Sequence, residues 1–354
     1  MNLVSQSFYE LDVPNKLKLI ERIGRICYKS EDKITDTSYE QFVTQMINSG
    51  HTAMLEHCTL HFETDYLFVE ALKWYSPFAH NITYSSKDVV RMSLNATAFR
   101  ELVDIVLSRN HALATDAQTA VLAMLAEAYK VYPVLFIDLW NANVVAIQDA
   151  VETVETYGSY INLLKEFSID TLKTAHDILT HVYKTFVFIT DRGVTHELVR
   201  HRIPSYAQES TRYVNYSKQD EITVIDPMYG IANDVKTRAL SVHLLNEIEA
   251  TWRKAMLDAE EAYMKLIHLG ATPQIARSVL PNSTKTEIAV TTNLYEWFHI
   301  FFLRTASTAH PQMQEAMFPV AQQVVPQYKS LLTNLHSVPN SKLRNEVSTV
   351  LAQF

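Results

Sequence analysis

Arg200, His201, Arg202 and Arg212 put three guanidinium groups and an imidazole into the fourteen residues RHRIPSYAQESTRY (200–213). A guanidinium offers a fixed fork of donors that suits phosphate and pyrophosphate. Ser205, Ser210, Thr211 and two tyrosines add hydroxyls, and Pro204 stops any helix from running on. The chemistry on offer is the anchoring of an anionic ligand. The competing reading is a solvated basic turn, whose surface ion pairs are worth little. Just upstream, His196 and His201 bracket HELVRH, which is one residue longer than the zinc-protease spacing. Five positions apart on a helix, two imidazoles point about 140° from each other, so this pair does not predict a metal.

Two further segments carry candidate chemistry. In LYEWFHIFFLR (294–304) the charge-bearing groups are Glu296, His299 and Arg304. A charge buried on such a helix needs a partner, whereas Arg304 as the last residue would simply suit the helix dipole. Asn293 lies eleven positions before it, on the same stripe. Arg277, after Pro273, is open to either kind of reading. HTAMLEHCT (51–59) places His51, Glu56 and His57 in a loop before a strand, where functional groups are common and solvated histidines commoner.

The elements that must hold these residues come from the wider pattern. The chain has 354 residues, 47% hydrophobic and 20% charged, with a net charge of −8. That is ordinary globular composition of one or two domains. Six glycines, no two closer than 26 positions, exclude both GxGxxG and GxxxxGK phosphate cradles. Any nucleotide must therefore be held by side chains and helix ends. Cys27 and Cys58 cannot form a CxxC site, and two thiols fit a reducing compartment. No apolar run reaches the ~18–20 residues of a membrane span, MNLVSQSFYE lacks the order of a signal peptide, and an acidic chain is a poor nucleic-acid binder. A cytoplasmic protein without membrane or nucleic-acid partners is expected.

Helical spacing marks 15–29, and Thr37 with Glu40 predicts a capping box opening a helix that stops at Gly50. Residues 58–63 alternate as a half-buried strand. The stretch 97–181 reads as a helical insertion. Strands are expected at 184–190 and 221–226, with a short helix capped by Asp191 between them and a long helix over 232–268. Thr272–Pro273 opens another helix that ends before Pro281, and 293–306 should be buried. Residues 331–354 read as peripheral. The fold class is α+β (or α/β): a small, mainly antiparallel sheet flanked by long helices, the main domain being 1–96 with 182–330.

Taken together, the segments resemble the flavin-dependent thymidylate synthase family, ThyX. Arg200, His201, Arg202, Ser205, Ser210, Arg212 and Tyr213 fill its RHRxxSxxExSxRY signature. EHCTLHF (56–62), GATPQIARSVLP (270–281) and TTNLYEWFHIFFLRTASTAHPQ (291–312) resemble its other motifs, in order. Gln208 stands at the signature's usual acidic position, Ala207 at its usual Asn, Cys27 at a usual Ser, and Glu197 where many members have Gln.

The resemblance implies FAD held by Arg200, His201 and Arg202 with His57, Thr59, Asn293 and His299. It implies dUMP held by Arg212, Ser210, Arg277, Glu197 and Gln208, with Arg304 against the uracil. Arg304 and His57 are the catalytic candidates, and no metal is implied. It further implies a homotetramer with shared sites, methylenetetrahydrofolate as one-carbon donor and NADPH as reductant. The alternative is a relative that binds nucleotide or flavin without methyl transfer.

Overall fold

The computed structural model describes residues 1–65, 82–86, 89–108, 115–219 and 221–354. Ten strands are described: β1 (Asn2–Val4), β2 (Ser7–Glu10), β3 (Thr59–Thr64), β4 (Ile82–Ser86), β5 (Val89–Asn95), β6 (Ile161–Leu164), β7 (Tyr183–Asp191), β8 (Ser205–Gln208), β9 (Thr223–Ile225) and β10 (Lys285–Asn293). They form two four-stranded antiparallel sheets, ordered β2-β7-β10-β8 and β4-β5-β3-β6, and a small parallel pair, β1-β9. The helices are α1 (Lys16–Tyr28), α2 (Ser38–Asn48), α3 (Ala96–Leu107), α4 (Thr115–Val131), α5 (Pro133–Ala142), α6 (Val144–Thr156), α7 (Ala175–His181), α8 (Arg192–Leu198), α9 (Met228–Asn233), α10 (Val242–His268), α11 (Pro273–Ala276), α12 (Leu294–Arg304), α13 (Pro311–Lys329) and α14 (Ser341–Gln353). This is the expected α+β class.

The period of two decides the first sheet. Phe186, Phe188, Ile288 and Val290 point to one face and pack with Trp297, Phe298, Phe301 and Met317 of α12 and α13. Val187, Ala289 and Ala207 point to the other, against Leu19, Ile23 and Ile26 of α1. Helix α1 comes close to α2 at Gly24, where a Cβ would meet the Phe42 ring at 2.4 Å. In the second sheet Leu60, Phe62, Val90, Met92 and Leu94 pack against Phe99, Val121, Met124 and Phe136 of the α3–α5 layer. Its other face is polar and also buried, with His61, Arg91 and Ser93.

Several expectations change. Helices 15–29 and 293–306 and strands 184–190 and 221–226 are found within a few residues. The Thr37 capping box does not form: Thr37 makes no cap bond, and Ser38 exchanges bonds with Thr35 instead. Strand β3 is buried on both faces rather than one, because Leu60 and Phe62 pack on the α3–α5 layer while His61 on the other face meets Phe167 and Tyr183. The 97–181 stretch is not wholly helical, since β6 inside it pairs with β3. The long helix starts at Val242, ten residues late, with α9 separate before it. Residues 331–354 are not peripheral. Leu343, Val347 and Val350 of α14 are buried in the core that holds α12, each worth about 1.5–3 kcal/mol on leaving water.

Candidate active site

Asp191 caps α8 by accepting from Val194 N at 2.7 Å, and Pro204 keeps the helix from resuming beyond His201. The chain then turns into β8, which pairs with β10 from Ser205 to Gln208. Strand β10 runs straight into α12, whose first turn is capped by Asn293 Oδ1 accepting from Glu296 N at 3.1 Å. These junctions bring the end of α12 onto the end of α8. Arg304 Nη1 meets Glu197 Oε2 at 3.0 Å and Nη2 donates to the Glu197 carbonyl at 2.9 Å. Its Nε donates to His201 Nε2 at 3.0 Å.

That last bond fixes the imidazole. With Nε2 accepting, the ring proton sits on Nδ1, which faces Glu296 Oε1 at 3.4 Å. His201 and Glu296 are buried. The His299 ring stands edge-on to His201, centroids 5.7 Å apart at 77°, and His299 Nδ1 lies 2.8 Å from Glu346 Oε2. Ligand-type atoms of His201, Glu296 and His299 lie within 4.8 Å of one another. A cation there would need the Nδ1 lone pair of His201, and Arg304 assigns that nitrogen the proton. The group is a relay of contacts in which Arg304–His201 and His299–Glu346 are hydrogen bonds and the two imidazoles meet edge-on.

A separate cleft of about 600 Å³ has Arg202, Ser205, Asn293, Tyr183 and Thr291 in its lining and none of the relay residues. Arg202 is exposed, so its guanidinium is available to a ligand. Asn293 Nδ2 donates to the Thr180 carbonyl at 3.2 Å, and Ser205 Oγ donates to the Glu56 carbonyl at 3.3 Å. Burial raises the Glu56 carboxyl above its ordinary value. Tyr183 and Thr291 also line a second cavity of about 230 Å³, which includes His57, Thr59, His61 and His181. His57 Nδ1 is 2.7 Å from Thr291 Oγ1, which is itself 2.7 Å from Thr185 Oγ1. Burial pushes the His57 imidazole down to about 3, so it is neutral, and its buried Nε2 meets no partner.

The remaining candidates gather beyond the far end of β8. Arg277 Nη1 donates to Thr211 Oγ1 at 3.4 Å. Arg212 lies exposed over the Tyr213 ring at 5.3 Å, and Ser210 Oγ accepts from Arg212 N at 3.4 Å. Gln208 is committed internally, donating to Thr195 Oγ1 at 3.0 Å and Thr286 Oγ1 at 3.2 Å. Arg200 is exposed. The chain thus joins Arg304, His201, Glu197 and His299, joins Arg202 with Asn293, and joins Arg277 with the 210–212 turn. Strand β8, roughly 10 Å long, separates the last group from the first two, so Arg202, Arg212, Arg277 and Arg304 do not share one cleft within the chain. Sequence reasoning leaves Glu296, Glu346, His61 and His181 unassigned. Glu296 and His299, three apart on an otherwise apolar helix, are the available signal for the first.

A family model described as thymidylate synthase complementing protein matches residues 147–327, just over half of the chain. The chain belongs to that family. The matched stretch contains the relay's Glu197, His201, Glu296, His299 and Arg304 and the Arg277 group, but neither His57 nor Glu346. Curated relatives from this thymidylate synthase family are named flavin-dependent thymidylate synthases. Those of Pyrococcus furiosus and Pyrococcus horikoshii are 32% and 35% identical over 150 residues, which is 42% of this chain and 56% of each relative. That of Mycobacterium tuberculosis is 32% identical over 143 residues, 39% of this chain and 55% of the relative. The chain thus spans about half the length of the curated relatives it matches. Solved structures similar to it include a UMP/dUMP methylase, PolB, from Streptomyces cacaoi, at 16% identity, 99% and 97% coverage and TM-score 0.38. ThyX from Helicobacter pylori with FAD and dUMP aligns at 21% identity over 46% of this chain and 74% of that one, TM-score 0.32.

Proposed function

We propose that the protein is a flavin-dependent thymidylate synthase, forming dTMP from dUMP with methylenetetrahydrofolate as carbon donor, FAD as cofactor and NADPH as reductant. The observation that carries the reading is the contact at the end of α12, where the Arg304 guanidinium of the family-matched stretch is held by His201 and Glu197.

The donor set suits the flavin. Arg202 in the cleft offers a fork for a phosphate, Asn293 and Ser205 stand beside it, and the orphaned His57 Nε2 can meet a polar ring atom in the adjoining cavity. About 600 Å³ is within the range of small-molecule sites. Bound there, the reduced cofactor supplies the hydride. The chain's own part is orientation and electrostatics. Arg304 faces the charge that develops on the pyrimidine, His201 holds its Nε, and Glu197 must release Nη1 before the base can use it. Arg277, Arg212 and Ser210 take the nucleotide phosphate.

Because β8 separates those groups within a protomer, the reading includes a homotetramer whose sites draw on several copies. The long helix α10 supports it: Val242, Leu244 and Leu257 are exposed, and Leu240, Leu244, Ile248 and Trp252 line an apolar groove of about 450 Å³. The test is reconstitution with FAD followed by gel filtration. Visible flavin absorption co-eluting with a tetramer is expected; a colourless protein would overturn the reading.

A further inference from the structure

The C-terminal residues 331–354 lie beyond the family-matched stretch, which ends at 327, yet they reach the site at three points. Glu346 Oε2 lies 2.8 Å from His299 Nδ1. Gln353 Oε1 accepts from the hydroxyl of Thr305, the residue after Arg304, at 3.3 Å. Pro339 and Asn340 line the cleft that holds Arg202, and Asn340 Nδ2 donates to the Tyr295 hydroxyl at 3.3 Å.

The first of these contacts is hard to explain as packing. Helix α14 already docks through Leu343, Val347 and Val350, and a carboxylate buried among them is unfavourable unless it has work to do. Its Oε1 has no hydrogen-bond partner, and Lys342 Nζ, on an exposed side chain, stays 3.8 Å away. Its one close hydrogen bond goes to His299, whose ring abuts His201, whose Nε2 receives Arg304. The contacts run carboxylate, imidazole, imidazole, guanidinium, with Glu296 beside His201 and Glu197 beside Arg304.

We propose that Glu346 is a positioning residue of the active site, holding His299 against His201 so that His201 keeps the ring orientation in which its Nε2 receives Arg304. It rests on the reading that Arg304 faces the pyrimidine. It extends the functional site to a helix outside the family-matched residues, and it assigns the C-terminal segment a task in turnover rather than in stability alone.

The experiment compares Glu346→Ala and Glu346→Gln with Val350→Ala, which loosens the same helix while keeping the Glu346 carboxylate. Side-chain nitrogen NMR of the full-length protein without ligands reads the His201 tautomer directly. Wild type and Val350→Ala should show His201 with Nδ1 protonated and Nε2 bare, Glu346→Ala should shift or broaden that pattern, and Glu346→Gln, which keeps an acceptor, should restore most of it. In turnover, Glu346→Ala should lower kcat about ten- to a hundredfold with KM for dUMP within about twofold, while Val350→Ala keeps kcat. Unchanged His201 resonances in Glu346→Ala, or equal kcat losses in Glu346→Ala and Val350→Ala, overturn the proposal. If wild type turns over no dUMP, the thymidylate reading fails, and the His201 resonances decide the role of Glu346 on their own.

Discussion

Arg304 and Glu197 make a two-point contact, side chain to side chain at 3.0 Å and guanidinium to backbone carbonyl at 2.9 Å, across 107 residues of sequence. A half-exposed pair of this kind is worth about 1 kcal/mol or less, so it can be displaced by a ligand. Glu197→Gln keeps the carbonyl contact and removes the competing charge. It should tighten dUMP binding by up to about fivefold and leave the unfolding midpoint nearly unchanged. Isothermal titration with dUMP checks the first outcome and urea unfolding the second.

Three buried histidines should make stability sensitive to acid. His57 and His61 are pushed down to about 3, and His181 well below its ordinary value, in each case chiefly by burial. The unfolded chain therefore binds more protons than the folded one between pH about 6.5 and 3, so stability is lost as pH falls through that window. His57 and His61 should each account for about 2 kcal/mol of loss by pH 5. Urea midpoints at pH 7.5 and 5 measure it, and His61→Gln should flatten the dependence.

The end of β8 is tied down by a charge cluster around the buried Glu209. Glu209 lies 3.4 Å from Lys29 Nζ, 3.5 Å from Lys285 Nζ and 3.1 Å from the Tyr216 hydroxyl, and both lysines also pair with Glu287. Glu209→Ala leaves the exposed Lys29 and the part-buried Lys285 sharing Glu287, and the buried Tyr216 hydroxyl without its acceptor. A destabilisation of about 1–3 kcal/mol is expected, read by denaturant unfolding.

Much of the site was legible in advance because its residues are chemically scarce. Arginines in an acidic chain with six dispersed glycines stand out, and Arg304 on an apolar helix asks for a partner that proves to be Glu197 and His201. Helix α12 was readable for the same reason, since its apolar face runs nearly all round. The second sheet was not. Val90, Met92 and Leu94 do alternate with Arg91 and Ser93, but the buried polar face they leave faces His181 rather than solvent, and no local rule announces that. Glu346 sits in a polar helix 47 residues from His299, and only the fold joins them. The capping box at Thr37 failed because Thr35 and Ser38 satisfy each other first.

The close passage of α1 over α2 gives a test of the fold itself. Gly24→Ala would drive its Cβ into the Phe42 ring, which is buried and already faces Arg25 at 4.7 Å. Overpacking of this kind costs about 1–3 kcal/mol. Calorimetry should show a lower melting temperature, and Gly24→Ala combined with Phe42→Leu should recover part of it.

In the proposed function Arg304 serves carbon transfer to a pyrimidine nucleotide. Tritium release from 5-tritiated dUMP, in the presence of FAD, NADPH and methylenetetrahydrofolate, measures it most directly. Wild-type protein should release tritium in step with dTMP formed, and Arg304→Ala should lose about a hundredfold or more of that rate while remaining folded. Release that is absent from wild type, or undiminished in Arg304→Ala, would contradict the account.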